Sequence, residues 1–208
     1  MSDELVFYTN PMSRGRIVRW MLEEIGQPYR TEILDYATNL KSPAYLAINP
    51  MGKIPALKHG DTVITEGAAI CAYLADAFPA AGLAPAATDR LRGSYYRWLF
   101  FAAGPLESAV MTSRLGFEVQ PEHHRMVGWG RHEDLLATLE SAVAGRDYLL
   151  GDRFSAADVY VSSQLGWSMQ FGMLEKRPAF EAYVERTQAR PAAARAREID
   201  DALVPAAA

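Results

Sequence analysis

Apolar positions along this chain follow two rhythms, and the change between them divides it. In the first part, short apolar runs alternate with helical stripes; beyond residue 89 the rhythm is helical throughout. Leu5–Thr9 (LVFYT) reads as a buried strand. Residues 14–25 follow as a helix, with Ile17, Met21, Leu22 and Ile25 on one face and Gly26 at its end. Residues 30–34 make a second strand and residues 43–48 a short helical turn. Ala56–Lys58 and Thr62–Thr65 flank His59-Gly60-Asp61 as a hairpin, and a helix over 67–77 closes this half. The order β-α-β-α-β-β-α suits a mixed four-stranded sheet with helices packed on it.

Residues 79–88 (PAAGLAPAAT) have the proline, glycine and small-residue content of a linker. Beyond it, Asp89–Ser113 carries Leu91, Tyr95, Trp98, Leu99 and Phe101 at helical spacing, with a kink expected at Gly104-Pro105. A helix is expected over Pro121–Ala144, ending at Gly145. At Phe154-Ser155-Ala156-Ala157-Asp158-Val159, Ser155 and Asp158 form a capping box and Phe154 can staple onto Val159. Pro178–Arg190 is a further helix, and the Ala- and Arg-rich tail from Ala192 is expected to fray. The plan is an α/β domain over 1–80, a linker over 81–88 and an all-α domain over 89–208.

Composition narrows the field of functions. Half of the 208 residues are apolar and 22% are charged, a globular balance without a disorder signature. A net charge of -4 and the absence of basic runs argue against nucleic acid and anionic membranes as partners. MSDELVFYTN lacks the positive and apolar regions of a signal peptide, and no segment approaches the about 18 apolar residues of a membrane span. Cys71 is the only cysteine, which excludes a disulfide framework; a cytoplasmic protein is expected. His123, His124 and His132 show no metal-ligand spacing, so no metal is expected.

The stretch richest in chemistry is 49–74, NPMGKIPALKHGDTVITEGAAICAYL. It joins an Ile-Pro step, a hairpin and a Glu-Gly pair at a helix start, where free amides and the helix dipole favour an anion. With the T-E-G-A-A-I-x-x-Y-L run and the F-S-A-A-D capping box, it resembles the cytosolic glutathione transferases over nearly the whole chain. The resemblance implies a thioredoxin-like α/β domain followed by an all-α domain, a homodimer, and glutathione as co-substrate. It implies a cis bond before Pro55, which turns the Ile54 backbone outward to pair with the cysteinyl unit of glutathione by strand addition. Glu66 and Gly67 are implied to hold the γ-glutamyl end, and Lys53 or Lys41 the glycyl carboxylate. Asp158 is read as a folding residue, outside the site.

The chemistry implied is attack by the glutathione thiolate on a hydrophobic electrophile. A free thiol is only about 3% ionised at pH 7, and lowering its pKa by about 2 units needs about 2.7 kcal/mol. A hydrogen bond to a charged acceptor supplies about 1.5–3 kcal/mol. Two hydroxyls compete for that role. Ser13, in Asn10-Pro11-Met12-Ser13-Arg14, matches the serine-type members and is preferred, although a plain helix cap also accounts for it. Tyr8 lies near the end of the first strand, eleven residues before Arg19, as in the tyrosine-type members, although a core aromatic fits there too. Backbone amides alone are the third choice. Residues 9–16 hold no cysteine, which argues against glutaredoxin-like reductase chemistry. For the electrophile, Met12, Phe101, Leu106, Met111, Trp167 and Phe171 are candidates, each equally readable as core. A glutathione-dependent isomerase or dehalogenase and a non-catalytic binding module on the same fold are the alternatives.

Overall fold

The structure, a computed structural model, describes residues 3–204. Its contacts form two compact units: an α/β unit that runs up to Ala81 and resumes at Arg190, and a helical unit over Gly82–Ala189. In the first, β1 (Leu5–Thr9), β2 (Tyr29–Ile33), β3 (Ala56–His59) and β4 (Thr62–Thr65) lie in the order β2-β1-β3-β4. β1 and β2 are parallel, so a crossover must join them, and α1 (Gly15–Ile25) supplies it. β3 runs antiparallel to both β1 and β4. α2 (Pro43–Leu46) and α3 (Gly67–Ala77) complete this part, each within a residue or two of its expected place.

Alternation along β1 sorts its side chains onto two faces. Phe7 meets the guanidinium of Arg19 from α1, 5.1 Å from its ring centre. Thr9 lies so close to α1 that a Cβ on Gly15 would fall 1.9 Å from its hydroxyl oxygen, which is why glycine opens that helix. Tyr8 points the other way and packs on Tyr45 of α2, with ring centres 5.7 Å apart. Leu34, Leu40, Tyr45 and Ala56 form the small core on that side.

In the helical unit the kink expected at Gly104-Pro105 is a π-helical turn, Ala102–Leu106, between α4 (Leu91–Phe101) and α5 (Glu107–Arg114). Pro105 has no N–H to donate and its ring pushes away the carbonyl one turn back; the wider turn accommodates both. The single helix expected over 121–144 is instead two pieces. A 3-10 segment, Pro121–Met126, is separated by residues 127–131 from α6 (His132–Val143). Gly130 at φ +64° reverses the chain there, a conformation costly for other residues.

α7 (Ala156–Gln170) is the centre of this unit, and α8 (Pro178–Gln188) packs on it. Asp158 on α7 is fully buried and accepts four hydrogen bonds. Its Oδ1 takes the Leu149 N–H at 2.8 Å and the Tyr183 hydroxyl at 2.9 Å. Its Oδ2 takes the Ser155 N–H at 2.9 Å and the Ser155 hydroxyl at 3.0 Å. One carboxylate thus ties the start of α7 to the preceding loop and to α8. Burial pushes its pKa up, while the four donors pull it down. On α4, Tyr95 and Trp98 take the core side of the helix and are buried, whereas Tyr96 is exposed.

The tail expected to fray is a helix, α9 (Pro191–Ala202), packed on α1 of the α/β unit. Its contact face is built from Ala192, Ala193, Ala196 and Asp200. Asp200 accepts from Arg19 Nε at 3.1 Å, and both side chains are almost wholly buried. Arg19 also donates to Thr31 at 2.9 Å and to the Tyr29 hydroxyl at 3.2 Å. Arg190, at the entry to α9, grips the Glu24 carboxylate with two nitrogens at 2.7 and 2.8 Å. Removing one member of a buried pair leaves the other charge uncompensated. Asp200→Ala is therefore expected to cost about 3 kcal/mol in urea unfolding, and the apolar pair Arg19→Met with Asp200→Leu to restore most of it. Equal loss in the single and double variants would contradict this account.

Among the described residues no helix is long and apolar enough to cross a membrane, and no group of three or more metal-ligating side chains occurs.

Candidate active site

The register of the sheet brings three loops to one edge. Tyr8 stands opposite Ala56, and Ala56 opposite Thr65. Both ladders end there: Pro55 directly precedes β3 and Glu66 directly follows β4. The loop after β1, the loop before β3 and the start of α3 therefore meet where β1 and β4 end and β3 begins. The N-termini of α1 and α3 lie at this same edge.

The first loop is shaped by Asn10. Its side chain donates to the Leu34 carbonyl at 2.8 Å and accepts the Met12 N–H at 2.9 Å. Its own carbonyl accepts the Ser13 hydroxyl at 2.7 Å. Ser13 Oγ in turn accepts the N–H of Gly15, the first residue of α1, at 2.9 Å. The half-buried Ser13 is thus a helix-capping residue with its proton directed at a backbone carbonyl.

The second loop carries the Ile54–Pro55 cis bond. The Lys53 carbonyl is held by two buried side chains, the Tyr45 hydroxyl at 2.5 Å and Asn49 Nδ2 at 2.8 Å. Asn49 Oδ1 accepts the Met51 N–H at 3.1 Å, and its backbone carbonyl accepts the Gly52 N–H at 2.8 Å. Among the described residues, the backbone N–H and C=O of Ile54 take no hydrogen-bond partner. Lys41 and Lys53 differ here. Lys41 Nζ donates to the Met51 carbonyl at 2.7 Å and lies 2.7 Å from where a Cβ on Gly52 would stand. Lys53 is exposed and forms no ion pair among the described residues.

The third element is Glu66 at φ 66°, ψ 115°, the single non-glycine residue with positive φ among those described. Such a conformation costs about 1–3 kcal/mol and is maintained where the surroundings over-determine it. It follows β4 directly and turns the chain into α3, with the exposed Glu66 side chain making no cap to the helix. The leading amides of α3, beginning at Gly67, then lack intrahelical acceptors.

The remaining sequence candidates are dispersed. Tyr8 is half-buried on the α2 side of the sheet, the face opposite α1, and its hydroxyl takes no partner among the described residues. Met12 is 70% exposed in the first loop. In the helical unit Leu106 is buried at 1% exposure inside the π-helical turn, a core position that leaves it no surface to line an open pocket. Phe101 and Met111 are partly buried; Trp167 and Phe171 are exposed and meet edge to face, with centres 5.3 Å apart. Cys71 is fully buried in α3, and burial pushes its thiol up to about 12, so it holds no thiolate near neutral pH. Asn10, Tyr45 and Asn49 were not singled out by sequence reasoning. The Asn-Pro pairs at Asn10-Pro11 and Asn49-Pro50 were the available signals, since such a pair initiates turns.

The chain matches the family models described as glutathione S-transferase, N-terminal domain, over residues 12–77 and glutathione S-transferase, C-terminal domain, over residues 110–191. It is 30% identical over 191 residues to the glutathione S-transferase GST-4.5 of Xanthomonas campestris, covering 86% of this chain and 90% of that one. A glutathione transferase structure from Methylococcus capsulatus is 32% identical with a TM-score of 0.78, covering 95% of this chain and 99% of that one. A sphingomonad glutathione S-transferase solved in complex with glutathione is 30% identical with a TM-score of 0.76, covering 94% and 98% respectively. A maleylacetoacetate isomerase of Pseudomonas aeruginosa is 28% identical over 187 residues, 80% of this chain and 81% of that one. This chain belongs to the glutathione S-transferase family: a thioredoxin-like α/β unit with a mixed four-stranded sheet, followed by an all-helical unit.

Proposed function

We propose that this chain is a glutathione transferase that binds glutathione along the sheet edge just described and conjugates its thiolate to a hydrophobic electrophile. The observation that carries this reading is the unpartnered Ile54 backbone lying beside the N-terminus of α3. An extended peptide placed on Ile54 gains two backbone hydrogen bonds. Its carboxylate end then meets the amides of α3 at Gly67, with Glu66 available for an ammonium group. For the glycyl carboxylate, Lys53 is the freer cation, since Lys41 already serves the Met51 carbonyl. Met12, 70% exposed in the loop that carries Ser13, supplies apolar chemistry suited to an aromatic or alkyl electrophile. A cytoplasmic homodimer is part of the proposal, with Tyr96 and Phe100 exposed on α4 as apolar surface for association.

For the thiol, Ser13 is the proposed activator. Its hydrogen can swing from the Asn10 carbonyl onto a thiolate while Oγ still accepts from Gly15. The exchange gives up a neutral hydrogen bond of about 1 kcal/mol for a charge-assisted one of about 1.5–3 kcal/mol. Tyr8 is kept as the second reading because its hydroxyl has no partner to give up. A glutathione-dependent isomerase is the nearest other activity, supported by the maleylacetoacetate isomerase relative.

Two measurements test the proposal: retention on immobilised glutathione, and conjugation of glutathione to a halogenated nitroaromatic compound. Retention with turnover is the expected result. Retention without turnover favours the isomerase or a binding module, and failure to bind glutathione at all sinks every one of these readings.

A further inference from the structure

We propose that Tyr45 and Asn49 are positioning residues for glutathione, acting through the peptide group that links Lys53 to Ile54. The inference rests on the proposed glutathione-binding reading and adds to it the device that aims the Ile54 amide. A trans peptide unit is planar, with its C=O and N–H pointing in opposite directions. The Lys53 carbonyl and the Ile54 N–H belong to one such unit, because the cis bond in this loop is the next one along. Whatever fixes the direction of the carbonyl therefore fixes the direction of the amide.

That carbonyl has two lone pairs, and each is matched by a donor: the Tyr45 hydroxyl at 2.5 Å and Asn49 Nδ2 at 2.8 Å. Both donors are themselves immobile. Tyr45 is 3% exposed, with its ring on Tyr8 and the Leu34–Leu40–Ala56 cluster, and Asn49 is 4% exposed and braced by the Met51 N–H. Burial pushes the Tyr45 hydroxyl up to about 12, so it remains a donor across the pH range of any thiol assay. With the carbonyl drawn toward this buried pair, the N–H is turned the opposite way and left without a partner in the chain. A donor held in place before the ligand arrives loses little freedom on binding, which is how preorganisation adds affinity. Two side chains that never touch the ligand thereby set the strength of a backbone hydrogen bond to it.

The test uses the full chain carrying Tyr45→Phe, Asn49→Ala, or both. Each single substitution is expected to raise KM for glutathione about three- to tenfold and leave kcat at saturating glutathione within about twofold. The informative ligand is a glutathione analogue whose cysteinyl carbonyl is replaced by a methylene group, removing the acceptor for the Ile54 N–H. Wild-type protein is expected to bind this analogue about tenfold more weakly than glutathione, and the double variant to lose most of that discrimination. Tyr45→Phe retains the buried ring, so a folded protein is available even if Asn49→Ala fails to fold, and thermal melts verify it. Undiminished discrimination in the folded variants, or a fall in kcat with KM unchanged, overturns the proposal while glutathione binding stands. A wild-type protein that does not bind glutathione overturns this proposal together with the one it rests on.

Discussion

Replacing Ser13 by Ala is expected to lower kcat for glutathione conjugation by about two- to thirtyfold, while the glutathione Kd changes less than about twofold. The estimate follows from the net gain when the Ser13 hydrogen leaves the Asn10 carbonyl for a thiolate, about 0.5–2 kcal/mol, with each 1.4 kcal/mol worth a factor of ten. The same loss should raise the pKa of bound glutathione by about half a unit to one and a half units, toward the free-thiol value of about 8.5, visible in the ultraviolet absorbance of the thiolate. The sign is fixed by the acceptor: a donor removed from the ionised form favours the protonated one. Raising the pH should therefore recover much of the lost rate. Ser13 also caps α1 through the Gly15 amide. A modest stability loss of about 1 kcal/mol, a few degrees in Tm, accompanies the change and does not account for the kinetics. Tyr8→Phe is expected to change kcat less than threefold. If the two variants exchange roles, Tyr8 is the activating hydroxyl.

The second large effect concerns folding alone. Asp158→Ala should destabilise the protein by about 4–5 kcal/mol and lower Tm by about 10 °C or more. The carboxylate is the common acceptor for the Leu149 and Ser155 amides and for the Tyr183 and Ser155 hydroxyls. Deletion strands these donors in the interior of the helical unit, and unsatisfied buried groups are the expensive outcome. Asp158→Asn should recover little of the loss, because its amide nitrogen presents hydrogens to groups that need an acceptor. Protein that remains folded should bind glutathione with unchanged affinity. A loss of affinity in folded Asp158→Asn would mean that the residue does more than hold α7, its preceding loop and α8 together.

Most elements of the fold are legible because their apolar spacing is strong. The β1 and α1 stripes, the His59-Gly60-Asp61 hairpin and the Ser155–Asp158 box all carry local signals that tertiary contacts reinforce. The failures have specific causes. The face of α9 is made of alanines around a charged residue, which reads as a solvated helix until Arg19 is known to be buried opposite Asp200. Val127-Gly128-Trp129-Gly130 interrupts a plausible helix through a backbone reversal that helical spacing does not register. In the candidate site, Ile54, Pro55, Glu66 and Gly67 stand out as a motif. The left-handed conformation of Glu66 does not, since nothing in a glutamate announces positive φ. Tyr45 and Asn49 are equally silent, because each acts on a main-chain carbonyl eight or four residues away.

The helical unit is one uninterrupted stretch of chain, Gly82–Ala189, whereas the α/β unit needs the segment from Arg190 onward to complete it. During synthesis, therefore, Arg19 emerges from the ribosome long before Asp200 exists to neutralise it. Until the last turns of α9 arrive, α1 has a cation on a surface meant for the interior, and its full burial is unfavourable. The helical unit, with Asp158 and Tyr183 both inside its own stretch, has no such wait. The order of translation thus makes the middle of the chain the first part able to finish folding, and the N-terminal part, although made first, the last.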